Sequence, residues 1–231
     1  MSKQEQLKKE SAEKAVEQVE SGMILGLGTG STTIYAIKKI GELWQAGQLT
    51  DIICIPTSER TASLAREYGI PLTSLNDHPH IDLTIDGADE VDPQLNLVKG
   101  LGGALLREKI IAMSSRIFIA IVDESKLVDR LGTLAPLPVE VTQFASQAHG
   151  YWLEQLPCRP ELRSKNGSPY ITDNENYIID CHFSDGIDDP VELSTKLHHH
   201  PGILDHGLFL NIASEVIVAG QAGIRSMLSL S

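Results

Sequence analysis

The sequence predicts an α/β protein, a parallel doubly wound sheet followed by a smaller α+β domain. Three observations carry this. Short apolar runs, MILGL (23–27), DIICIPT (51–57), HIDLTID (80–86) and RIFIAIVD (116–123), have the length of buried strands. Stretches of helical periodicity separate them, and strand–helix–strand units with short joins build parallel sheets. Beyond about residue 132 the elements shorten and alternate on a smaller scale.

Residues 4–20 place Leu7, Ala12, Ala15, Val16 and Val19 near helical spacing among charges, which predicts an amphipathic first helix. MILGL then runs into GTGSTT, and TIYAIKKIGELW resumes helical periodicity. DIICIPT is followed by SERTASLAREYG, a helix with Ser58 as its cap and Gly69 as its stop. HIDLTID is the third strand, GALLREKIIAMSS (103–115) a helix and RIFIAIVD the fourth strand. Further on, APLPVEV is bounded by prolines, TQFASQAHGYWLEQL and PVELSTKLHHH are helix-like, and NYIIDCHF is a strand. LDHGLFLNIASEVIVAG then returns to the main sheet. The expected domains are 1–131 with 207–231, and 132–206.

A formal net charge of -12 over 231 residues argues against sequence-independent nucleic-acid binding, which needs Lys and Arg to displace phosphate counterions. Cys54, Cys158 and Cys181 lie far apart without a CxxC pair, so neither a disulfide framework nor a zinc site is expected, and the compartment is a reducing one. The stretch MSKQEQLKKESAEKAVEQVE is charged throughout, and no run approaches the roughly 18 apolar residues of a spanning helix. The expectation is a soluble, cytoplasmic protein with no membrane partner.

GLGTGSTT (26–33) sets glycines at a strand-to-helix turn and adds Thr29, Ser31, Thr32 and Thr33. Glycine lets backbone amides approach an anion, hydroxyls donate further bonds, and the positive end of the new helix favours negative charge, so this loop fits a phosphate. It is not a P-loop, because GK[ST] is absent, and the third glycine of a dinucleotide fingerprint is misplaced. The acidic stretch TIDGADEVD (84–92) sits at the carboxyl end of the third strand, the edge where open α/β sheets bind ligands. Calcium-loop spacing fails here, while a magnesium site on one or two carboxylates stays open. Asp86 and Asp89 flank a Gly-Ala pair small enough to admit a substrate; Glu90 and Asp92, beside Pro93, are expected to face water.

Lys99 precedes a glycine-rich turn and could set a cation beside developing oxyanion charge, or lie on the surface. Glu108 has Ala104, Leu105, Ile111 and Ala112 three or four positions away and so interrupts an apolar stripe; burial there would make it a better base. Arg107 and Lys109 beside it also allow an exposed charged trio. His198 to His200 read as a surface tract and not as metal ligands, and a loop position accounts for His78 and His80. No GxSxG nucleophile turn is present.

In their order and spacing, GLGTGSTT, DGADEVDPQLNLVKGLGGALLREK, IVDESKLVDRLG and PLPVEV closely resemble the ribose-5-phosphate isomerase A family, and the similarity continues to LFLNIASEVIVAG. The resemblance implies a Rossmann-like domain with a smaller α+β, ferredoxin-like domain, a homodimer, no cofactor and no metal. It also implies interconversion of the sugar phosphates ribose 5-phosphate and ribulose 5-phosphate. By motif, Glu108 corresponds to the general base and Asp86, Asp89 and Lys99 to polar catalytic residues. Thr29, Gly30, Ser31, Thr32 and Lys126 correspond to substrate-binding positions, with Lys8 matching an N-terminal lysine near the phosphate. Leu101 and Leu106 depart from the family's usual glycine and threonine, which bears on the shape of the sugar pocket. Two rivals are an amino-sugar phosphate isomerase or deaminase and a non-catalytic sugar-phosphate sensor, the latter without the DNA-binding segment such regulators carry.

Overall fold

The computed structural model describes residues 2–229. The first half runs α1 (Lys3–Val16), β1 (Ile24–Leu27), α2 (Thr33–Gln45), β2 (Ile53–Pro56), α3 (Glu59–Glu67) and β3 (Ile81–Gly87). Two short strands, β4 (Glu90–Val91) and β5 (Leu97–Val98), precede α4 (Leu105–Met113) and β6 (Ser115–Asp123), which leads into a 3-10 turn (Glu124–Lys126). Next come β7 (Leu137–Val141), α5 (Ser146–Leu153), β8 (Arg159–Leu162), β9 (Ser164–Lys165), β10 (Ser168–Pro169) and β11 (Tyr177–His182). The chain closes with α6 (Pro190–His198), β12 (Ile203–His206), β13 (Leu208–Phe209), β14 (Glu215–Gly220) and β15 (Gly223–Leu228).

The larger unit contains residues 1–88, 107–126 and 211–231. Its six strands lie in the order β15-β14-β6-β3-β1-β2. All pair in parallel except the edge strand β15. Strands buried on both faces read as near-continuous apolar runs, which is why MILGL and RIFIAIVD were legible as strands. Leu25, Leu27, Leu83, Ile85, Ile119 and Ile121 form the core, joined by Ile37 and Ile40 of α2 and by Ala12, Ala15 and Val16 of α1. Helix α1 starts on a capping box: Ser2 Oγ accepts the Glu5 amide and Glu5 Oε2 accepts the Ser2 amide. The chain leaves β1 toward β2 on one side and β3 lies on the other, so the carboxyl ends of β1 and β3 flank the topological switch point where such sheets bind ligands.

The smaller unit contains residues 89–106 and 127–210. Strands β7, β8, β11 and β12, with α5 after β7 and α6 after β11, make a βαββαβ arrangement in the antiparallel order β12-β7-β11-β8. This is the ferredoxin-like topology. Val98, Leu137, Val139, Val141, Ile179 and Leu197 fill its core.

The boundaries expected at 131/132 and 206/207 are displaced. Segments 89–106, 127–131 and 207–210 pack with the smaller unit. The reason is pairing that spacing alone does not display: β4, β5 and β13 form a three-stranded sheet of their own, and Val98 enters this unit's core. Among the described residues no helix is long and apolar enough to cross a membrane.

Candidate active site

All candidate residues except Asp89 and Lys99 belong to the larger unit. There, Asp86 ends β3 fully buried, and its Oδ1 accepts the amides of Thr29 at 3.0 Å and Gly87 at 2.7 Å. Gly28 is what permits this approach, since a Cβ at that position would fall 2.1 Å from Asp86 Oδ1. One carboxylate thus ties the end of β3 to the turn after β1.

The Thr29 hydroxyl does not face outward. It lies 2.7 Å from Thr57 Oγ1, 2.7 Å from Ser58 Oγ and 3.0 Å from Thr61 Oγ1, a buried cluster anchored to the carbonyls of Leu27 and Gly28. Sequence reasoning missed Thr57, Ser58 and Thr61 as parts of this loop. Their signal was present: PTSERT follows β2, the neighbour of β1, so its hydroxyls had to arrive beside Thr29. Ser31 is exposed and accepts a 2.9 Å bond from Lys8 Nζ, which brings the N-terminal lysine to the loop. Thr32 caps α2 without a side-chain hydrogen bond, while in the first turn the Ile34 amide donates to Gly30 O at 3.3 Å and the Tyr35 amide to Thr32 O at 3.1 Å. Lys126 is half-buried in the turn after β6.

Glu108 lies in the first turn of α4 with 2% of its surface exposed, and Lys109 is buried beside it. The exposed-trio reading is therefore set aside. Helix α4 seats deeply because Gly26 of β1 has no side chain: a Cβ there would lie 2.9 Å from Ile111. Arg107 Nη1 donates to Glu59 Oε1 at 3.0 Å, linking α4 to the start of α3.

In the smaller unit, Lys99 is 2% exposed, with Nζ 5.4 Å from the centre of the Phe209 ring and its amide donating to Gly207 O at 2.9 Å. The surface-lysine alternative does not hold. Asp89 is half-buried, and its Oδ2 accepts the Leu101 amide at 3.0 Å. Leu101, the departure from the family pattern, therefore contributes its backbone here while its side chain is exposed.

Glu90 and Asp92 do not face water as expected. Glu90 is 0% exposed: Oε2 accepts the Gly132 amide, and Oε1 accepts those of Leu134 and Ala135. Asp92 is 7% exposed and accepts the amides of Gln94 and Asn96 together with Asn96 Nδ2. Each carboxylate satisfies backbone donors that a turn leaves unpaired, a structural use of charge the sequence does not distinguish from solvation.

His198 and His199 are exposed, and His200 stacks on Trp152 with ring centres 4.1 Å apart. The ligand atoms of His198, Asp205 and His206 nevertheless lie within 4.8 Å of one another, a spacing that could hold a cation. His206 Nδ1 accepts the Leu208 amide, so Nε2 carries the ring proton, 3.0 Å from Ser194 Oγ. A metal on Nε2 would force a proton onto Nδ1 against that amide.

A family model described as ribose 5-phosphate isomerase A (phosphoriboisomerase A) matches residues 53–223. A ribose-5-phosphate isomerase A from Desulfatibacillum aliphaticivorans is 50% identical over 228 residues, covering 98% of this chain and 99% of its own length. The chain belongs to the ribose-5-phosphate isomerase A family. Its reaction is the interconversion of ribose 5-phosphate and ribulose 5-phosphate, and it is an aldose–ketose isomerase. Solved structures agree on the fold. Ribose 5-phosphate isomerase from Plasmodium falciparum superposes with a TM-score of 0.95 at 42% identity, covering 98% of this chain and 100% of that one. A D-ribose-5-phosphate isomerase in complex with phospho-erythronic acid does so with a TM-score of 0.95 at 44% identity and the same coverage.

Proposed function

We propose that Glu108 is the general base of the isomerisation, removing the C2 proton of the open-chain aldose and returning it to C1. Supporting this is its burial on α4, since a carboxylate shielded from water is a stronger proton acceptor than one in solution. Removal of the proton leaves an enediolate, and the ammonium of Lys99, also withdrawn from water, neutralises the oxyanion. Asp86 and Asp89 bind sugar hydroxyls and carry the oxygen-bound proton during ring opening and transfer between O2 and O1. Reprotonation at C1 restores Glu108 as a carboxylate, so the cycle needs no external oxidant or cofactor.

The phosphate is held by the loop from Thr29 to Thr32, with Lys8 and Lys126 as its cations. Thr29 acts by shaping the loop, its hydroxyl being engaged with Thr57, Ser58 and Thr61; Gly30, Ser31 and Thr32 act by amide and hydroxyl contact. Binding energy from this remote phosphate orients the reacting carbons. We further propose a homodimer working in the cytoplasm, in the non-oxidative pentose phosphate pathway or in carbon fixation. The three free thiols fit a reducing compartment.

Proton NMR of ribose 5-phosphate in heavy water tests the chemistry. Chelator-treated protein is expected to form ribulose 5-phosphate at an unchanged rate, with deuterium entering at the transferred position over many turnovers. A requirement for added divalent cation, or a product that never acquires deuterium, would refute the proton-transfer mechanism.

A further inference from the structure

The carbonyls of the glycine-rich turn after Lys99 are held by a side chain from the sheet of the same unit. Arg163, which follows β8, donates through Nη1 to Gly100 O at 3.0 Å and Leu101 O at 3.2 Å. Its other two nitrogens are fixed: Nε donates to Asp180 Oδ2 at 2.8 Å and Nη2 to Asp180 Oδ1 at 2.5 Å. Asp180 lies on β11 in the middle of the ferredoxin-like sheet, and both side chains are largely buried, at 13% and 16% exposure. A planar guanidinium is the group that can grip a carboxylate bidentately and still present a third nitrogen in a set direction; an ammonium cannot do both.

The turn gripped in this way is a demanding one. Gly100 and Gly103 have φ of +103° and +83°, and the Gly103 amide closes the turn on Gly100 O at 3.0 Å. Tyr170 packs so closely that a Cβ on Gly103 would fall 2.2 Å from its hydroxyl, and the Tyr170 amide donates to Arg163 O at 2.8 Å. At the centre of the turn the Leu101 amide donates to Asp89 Oδ2 at 3.0 Å. A continuous chain of short contacts therefore runs from Asp180 through Arg163 and the Gly100–Leu101 peptide to Asp89, and the same peptide follows directly on Lys99.

We propose that Arg163 is a positioning residue for the isomerisation: held by Asp180, its guanidinium fixes the Gly100–Leu101 peptide so that the Leu101 amide orients Asp89 and the turn holds Lys99 in place. The inference rests on the roles given above to Asp89 and Lys99. Arg163 touches no reacting atom in this account and acts wholly through the turn.

The test is a double-mutant cycle in kcat and KM between Arg163→Lys and Asp89→Asn, with Asp180→Asn as a second way of loosening the guanidinium. Arg163→Lys keeps the charge opposite Asp180 and removes the carbonyl contacts. Displacing catalytic groups by about 1 Å can cost on the order of a hundredfold, so kcat is expected to fall at least tenfold while KM, set mainly by the phosphate, stays within about twofold. In the Asp89→Asn background the same change should cost at least threefold less than in wild type, because the part of its effect that runs through Asp89 is already lost and only the part through Lys99 remains. A merely structural arginine would give the same loss in both backgrounds, scaling with the drop in melting temperature, and that result would overturn the proposal. So would a wild-type kcat in both Arg163→Lys and Asp180→Asn. If Asp89→Asn and Lys99→Ala themselves retain wild-type kcat, the roles of those residues fail, and the inference fails with them for that separate reason.

Discussion

Replacing Glu90 by Gln leaves the volume of a buried side chain almost unchanged and removes one of its two acceptor atoms. In the native protein Oε1 takes the amides of Leu134 and Ala135 at 2.5 and 2.7 Å, and Oε2 takes that of Gly132 at 2.5 Å. With the carbonyl oxygen of Gln in the Oε1 position, two bonds survive as neutral ones, each weaker by about 0.5–1 kcal/mol than a bond to a charged acceptor. The Gln amino group then meets the Gly132 amide donor to donor, leaving a buried amide unsatisfied at about 1–3 kcal/mol. A neutral amide is cheaper to bury than a carboxylate, which offsets part of the loss, so the net destabilisation is about 2–4 kcal/mol. That is a large share of the roughly 5–15 kcal/mol that holds an ordinary domain. With a denaturant slope near 2 kcal/mol/M, the urea midpoint falls by about 1–2 M. Equilibrium urea unfolding followed by circular dichroism reads this directly. A midpoint within about 0.3 M of wild type would refute the reasoning that Glu90 is a brace for the 132–135 turn.

Lys8→Ala removes the cation that bonds Ser31 at 2.9 Å. Losing about 1 kcal/mol of phosphate binding should raise KM for ribose 5-phosphate roughly fivefold and leave kcat nearly unchanged, as steady-state kinetics would show. Among the cysteines, burial pushes the Cys54 thiol up to about 12, whereas a hydrogen bond from the Cys181 thiol holds Cys158 below its usual value. Iodoacetamide at pH 8 should therefore label Cys158 well before Cys54, with peptide mass spectrometry identifying the site. Between about 9 and 12 the unfolded chain has lost the Cys54 proton that the folded chain keeps, so this contribution to stability is complete below pH 9 and declines as pH rises.

What could be read from sequence was whatever periodicity and position determine. The parallel strands were legible because burial on both faces makes them continuous apolar runs, and the loop at GLGTGSTT and the acids of DGADE fell at strand ends because the strands did. Spacing singled out Glu108 as a carboxylate interrupting an apolar helical stripe, but with Arg107 and Lys109 beside it spacing did not separate a buried carboxylate from an exposed charged trio. Burial of Lys99 was not decidable, because its long stem is compatible with surface and interior alike. Glu90 and Asp92 were misread for a related reason: polarity is visible in a sequence, but the backbone amides a distant turn leaves over are not. The edge strand β15 went unread, GIRSML being mostly exposed and without a buried face to set its alternation. Nor could spacing reveal that the segment 89–106 pairs with β13, a partner more than a hundred residues away.

Glu108 is the residue proposed to move the proton. Steady-state turnover of ribose 5-phosphate by Glu108→Gln, beside wild type and with the unfolding midpoint of both recorded, tests it most directly. General-base catalysis contributes on the order of 10²–10⁴ in rate, so kcat is predicted to fall by at least a hundredfold while KM and the unfolding midpoint stay close to wild type. A correctly folded variant with kcat within tenfold of wild type would contradict the assignment and move the base to another residue.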